Sequence, residues 1–182
     1  MKDYINNLLK HEENLKLRIE MVPQTAWYNN LRFLLKAKQW DLIRRECYDK
    51  ANGLCEICGG KGNKHPVECH EIWEYDPNLY GHRSELTQKL NGVIALCPKC
   101  HKCKHWGFWS EVKKQEKSLI NHFCKVNDID IEKAKLFVVL AYGIFSDRSK
   151  KKWKLDLKWI EDNYDKSFIN QCNKKIEELK NE

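Results

Sequence analysis

The chain has 182 residues and a mass of 21.8 kDa, with 42% hydrophobic and 32% charged residues. That is enough for one domain with a real core, and unlike a disordered tail or a membrane protein. The 33 basic residues outnumber 26 acidic ones for a net charge of +7, a mild excess that suits a polyanionic partner without proving one.

Taken in chain order, Ile5, Leu8, Leu9, Leu15 and Ile19 keep helical spacing, so a helix is expected over 2–20, ended by Pro23. This start carries acids among its apolar residues and does not read as a signal peptide, which places the protein in the cytoplasm. A second helix is expected over 39–51, with Trp40, Ile43 and Cys47 inward and Asn52-Gly53 as its stop. A glycine-rich turn block follows, then a strand over 67–75, a loop over 76–84 and a short strand over 93–96. Pro98 opens a further helix at a position helices accept. Helices are expected over 110–125, 131–145 and 166–180. Residues 153–159 alternate as a strand does, though a helix also fits them. The longest apolar run, 136–142, falls far short of the roughly 20 residues a membrane-spanning helix needs.

Nine cysteines without a secretion signal point to metal or redox chemistry rather than disulfides, and the odd count forbids full pairing within one chain. Cys55-x-x-Cys58 and Cys97-x-x-Cys100 each place two thiolates on one ion, and two pairs complete a tetrahedron. A thioredoxin-like redox pair needs a strand before it and a helix at it, whereas here a helix precedes and Gly59-Gly60 follows. Structural zinc is therefore expected. Cys103 offers a second pairing with Cys100; Cys97, at the end of a strand, is the better ligand. His101 and His105 stand four apart on the helix that this zinc would anchor, so they share a face and can hold one ion together. His70 lies mid-strand.

Cys55-Glu56-Ile57-Cys58-Gly59, then Cys69-His70, then Leu96-Cys97-Pro98-Lys99-Cys100-His101 and His105 resemble an HNH endonuclease, over residues 40–106. Segments around 65–76 and 148–157 look like a bacterial and phage group of HNH-type proteins. The resemblance implies an α+β fold: a small ββα-metal core with a four-cysteine zinc knuckle over 39–109, a helical segment over 1–38, and a helical extension over 110–182. It implies a divalent catalytic ion (Mg²⁺, Mn²⁺ or Zn²⁺) held by His101 and His105, and His70 as the general base that deprotonates the attacking water. Two positions depart from the pattern. Cys69 stands where the family usually carries an Asp or His that binds the ion; it is the expected third ligand of the catalytic ion, soft enough to favour zinc over magnesium, with Glu71 or Glu68 as oxygen alternatives. Gly92 stands where the family has Asn, with Asn91 beside it as the substitute. The implied activity is metal-dependent hydrolysis of DNA to 5′-phosphate and 3′-hydroxyl ends. The competing reading is an inactive zinc-stapled nucleic-acid-binding or adaptor protein. DNA is the expected partner, no membrane is, and a homodimer is possible. Lys102, Lys104, Lys150, Lys151 and Lys152 are the expected phosphate contacts. Trp27, Trp40, Trp153 and Trp159 are expected in the core. His11, His65, His82 and His122 show no partner in sequence, His82 being the one of interest for its place between the strands.

Overall fold

The structure is a computed structural model that describes residues 2–76 and 85–180. Helix α1, Lys2–Glu13, is followed by a non-helical strap over 14–22 that begins with a turn. The helix expected over 2–20 therefore stops early. Tertiary packing overrides propensity here: Leu17 is fully buried and Ile19 nearly so. The side-chain amide of Asn127 grips the Leu17 backbone from both sides, donating to its carbonyl and accepting from its N–H at 2.9 Å each. A 3-10 turn at Gln24–Ala26 and a single helical turn α2, Leu31–Leu34, lead to α3, Ala37–Lys50. Asn52 and Gly53, both at positive φ, end α3, and the Gly53 N–H reaches back to the Tyr48 carbonyl.

Strands β1, Glu68–Tyr75, and β2, Glu85–Leu96, form an antiparallel pair in which His70 faces Ile94 and Ile72 faces Gly92. The ladder slips by one residue between Ile72 and Trp73, because Asn91 is the extra residue of a bulge. Strand β2 is much longer than the 93–96 segment, since its first half pairs in parallel with β3, Lys152–Asp156. The order in the sheet is β1-β2-β3. Leu157 and Trp159 leave the strand pattern: α7, Lys158–Asn163, begins there.

Helix α4, Pro98–Lys104, starts directly after β2 with Pro98 at its first turn. It breaks at His105, and a short π-helical stretch, Phe108–Val112, precedes α5, Glu116–Asn127. The uninterrupted helix expected over 110–125 is thus two pieces. Helices α6, Ile131–Arg148, and α8, Lys166–Lys180, complete the chain.

Two apolar layers sandwich the sheet. On the α4 side, Leu17, Leu96, Cys103, Trp106, Leu119, Phe123 and Phe137 pack together, with Trp106 edge-on to Phe123. On the other side Leu31, Leu34, Ile43, Leu90, Ile160, Phe168 and Cys172 join α2, α3, α7 and α8. Each large side chain so buried contributes roughly 1.5–3 kcal/mol. Trp153 joins a smaller cluster with Tyr75, and Trp40 and Trp159 line the second layer. Trp27 is not core: it is 57% exposed and held by an indole hydrogen bond to the Val22 carbonyl. Among the described residues, no helix is long and apolar enough to cross a membrane.

Candidate metal centres

The turn between α3 and β1 is shaped by its backbone. Gly59, at φ +70, lets its N–H return to the Cys55 carbonyl at 2.8 Å, while the Cys55 N–H reaches the Gly60 carbonyl at 3.0 Å. Glu56 pins this knuckle to the end of β2. Its N–H donates to the Ala95 carbonyl at 2.9 Å and its carboxylate accepts from the Ala95 N–H at 2.6 Å. Cys55 and Cys58 thereby meet Cys97 and Cys100, and all four sulfurs lie within 4.8 Å of one another. Cys58 and Cys97 are 3.6 Å apart. Three of the four are buried and Cys58 is exposed.

Without a cation the three buried thiols, Cys55, Cys97 and Cys100, oppose one another's ionisation. Thiols of Cys100 and Cys97 donate toward Cys55 and hold it well below the ordinary thiol range, while the sulfurs of Cys55 and Cys97 push Cys100 well above it. A doubly charged soft ion relieves that conflict, and four sulfurs at this spacing can hold zinc. Cys103 is not a fifth contender: its sulfur points to the Leu119 carbonyl in the core, which fixes the register as Cys97 and Cys100.

The second centre lies across α4. His70 from β1 and His101 and His105 from α4 bring their ring nitrogens within 4.8 Å of one another. The ring centroids are 4.7 to 5.2 Å apart, and each ring stands edge-on to the other two. Burial holds His70 well below the ordinary imidazole pKa and His105 down to about 4, so both rings are neutral and keep a lone pair for an ion. Glu68, two residues before His70 and on the same face of β1, accepts from His101 Nδ1 at 2.5 Å. That bond fixes the tautomer and leaves Nε2 of His101 as its ligand atom. Three imidazoles with a carboxylate behind one of them are a donor set suited to Zn²⁺ or a similar divalent ion with a coordination position left open.

Several expected residues are elsewhere. Cys69 is on the opposite face of β1, thiol to thiol with Cys47 beside Val67 and Ala95, and is not in the three-histidine group. The strand's alternation separates it from His70. Glu71, on that same far face, is fully engaged with the Leu31 N–H at 2.6 Å and the Trp73 indole at 3.3 Å. Asn91 donates to Glu74 at 2.9 Å in an exposed pair, roughly 10 Å along the ladder from the His70–Ile94 rung at strand rise. Gly92 is at φ +145 with the Trp159 ring 3.5 Å from where a Cβ would stand, so the bulge itself requires glycine here. Lys104 is buried and ion-paired to Glu20 of the strap at 2.6 Å, closed to any phosphate. Lys102 donates to Gln115 at 3.1 Å and lies over the Trp109 ring. Lys150 pairs with Asp147 at 2.8 Å, and Lys151 and Lys152 follow at the start of β3, Lys152 exposed. His82 lies outside the described residues. His122, without a partner in sequence, has one in space: its Nε2 is 3.2 Å from the Cys100 sulfur.

No family model, curated protein or solved structure matches the chain.

Proposed function

We propose that the protein is a metal-dependent endonuclease of the HNH kind that hydrolyses DNA phosphodiesters. The observation that carries this reading is the convergence of His70, His101 and His105 on one point, from a β-hairpin and the helix that follows it. The four-cysteine group at the base of the same helix supports it, because a staple there sets the helix against the hairpin. A strand pair followed directly by α4 is the order expected of the ββα-metal arrangement that the motifs resemble, and it supports the reading.

A divalent ion bound to the three imidazoles supplies Lewis acidity at a phosphate. The chain supplies the rest. Glu68 holds the proton on His101 Nδ1 and orients that ring. The His70 ring nitrogen lies within 4.8 Å of those of His101 and His105, a spacing that suits three ligands of one ion. We therefore assign His70 as the third ligand in place of the general base.

Plasmid digestion with Mg²⁺, Mn²⁺, Zn²⁺ or Ni²⁺ tests this. Cutting is expected with at least one ion and none with EDTA. His70→Ala, His101→Ala and His105→Ala should each lose most activity and regain part of it in excess metal, because mass action refills a weakened site. Loss in His70→Ala that no metal concentration restores would return His70 to the role of base.

One observation favours a second reading, a zinc-stapled DNA-binding protein without catalysis. Among the described residues the carboxamide of the HNH pattern has no counterpart at the site, since Gly92 is demanded by the bulge and Asn91 is tied to Glu74. DNA binding with no cleavage under any ion would establish it.

A further inference from the structure

We propose that His122 is the outer hydrogen-bond donor of the four-cysteine centre, and that through it α5 is built into that centre. This rests on the four cysteines holding an ion. His122 is the only described side chain outside the four whose polar atom is recorded against one of their sulfurs, with Nε2 3.2 Å from Cys100 Sγ. A metal-bound thiolate has lone pairs and no hydrogen, so the shared proton belongs to the ring: Nε2 donates and Nδ1 carries the lone pair. The ring is not a ligand in waiting. The atoms that can share the ion there are the sulfurs of Cys55, Cys58, Cys97 and Cys100, and His122 is not one of that group.

The placement is held from both ends. Leu119 and Phe123, on either side of His122 along α5, are fully buried against Trp106 and Phe137. One turn before it, the Leu119 carbonyl receives the Cys103 thiol from α4. Cys100 and Cys103 thus both address α5, three residues apart on one face of α4. An N–H bond to a thiolate draws charge off the sulfur. It lowers that sulfur's reactivity toward electrophiles and stabilises the metal-loaded form over the open one. Removing such a partner costs roughly 10- to 100-fold in metal affinity.

The test uses the full chain loaded with Co²⁺, then with Zn²⁺. Wild-type protein should show the sulfur-to-cobalt charge-transfer absorption of four thiolates. His122→Ala should shift that band and release Zn²⁺ to a chromogenic chelator roughly 10- to 100-fold faster. His122→Gln, whose amide N–H reaches the position of Nε2, should restore both. In the zinc-loaded wild type, nitrogen NMR should find the hydrogen of His122 on Nε2. No thiolate–cobalt band in the wild type would overturn the proposal together with the centre. A normal band in the wild type that His122→Ala leaves unmoved, with unchanged release, would overturn the role of His122 alone. A hydrogen on Nδ1 only would do the same without any mutation.

Discussion

Replacing Glu68 by Gln removes one charge and little else, and it isolates what the carboxylate does for the histidine centre. The side chain is 38% exposed, so its loss leaves no cavity. Its short bond to His101 Nδ1 is charge-assisted, and the carboxyl sits below its ordinary pKa chiefly because His101 donates to it. Hydrogen bonds to charged groups contribute roughly 1.5–3 kcal/mol, and half-exposure puts this one toward the lower end. The outer-shell rule gives the same size independently: a loss of roughly 10- to 100-fold in ion affinity, or about 1.4–2.8 kcal/mol. The assay is calorimetric titration of a divalent ion into protein whose cysteine centre is already filled. The expected outcome is a weakened second binding event, with the melting temperature without added ion lowered by a few degrees as the charge-assisted bond is lost. Unchanged affinity in Glu68→Gln would refute the reasoning, and with it the claim that His101 Nδ1 is committed to Glu68.

Cys58→Ser should cost bound zinc and a large part of the folding stability, since ion binding there is folding free energy; metal analysis and thermal melting check it. Gly92→Asn, which restores the carboxamide of the HNH pattern, should destabilise by roughly 1–3 kcal/mol and raise no activity, because φ +145 strains any side chain; denaturant unfolding reads the first and plasmid digestion the second. Lys104→Met should leave DNA affinity and its salt slope as they are, because its ammonium is spent on Glu20, whereas Lys152→Ala should reduce the slope by about 1; binding measured across a salt series separates them.

Much of the metal chemistry was legible in the chain because it depends on short spacings. Two Cys-x-x-Cys pairs and a pair of histidines four apart declare themselves without any long-range information. What the sequence hid was orientation. Cys69 and His70 are neighbours, and only the choice of which face of β1 meets α4 decides that one joins the site and the other joins Cys47. Glu68 stood within view as an oxygen ligand, but its actual bond, to the far nitrogen of His101, depends on how α4 lies against the strand. His122 was beyond reach for the same reason: its partner is 22 residues away on another helix. Lys104 looked like one of a basic run, and no local pattern announces that Glu20 comes back across the molecule to meet it. Among the elements, the α1 boundary misled because residues 14–22 keep a helix's apolar spacing while the Leu17 backbone is taken up by Asn127. The parallel docking of β3 on β2 is likewise a tertiary fact, joining segments more than sixty residues apart.

Helix α4 and its two flanking residues, Cys97 and His105, carry members of both groups, with Cys100 and His101 adjacent in the chain. The two sites are therefore geared together by a single register. One residue inserted between Cys100 and His101 would swing both histidines by about 100° around the helix axis while the cysteines stayed put. Insertions after Gly60 and before β1 leave that register untouched, because the hydrogen bonds of Glu56 to Ala95 and of Cys55 with Gly59 and Gly60 hold the knuckle from its near side. Descendants of this sequence can drift in length on one side of the four-cysteine group and are frozen on the other. In a set of relatives, a constant spacing from Cys97 to His105 beside a variable one from Cys58 to His70 would be the signature of that gearing.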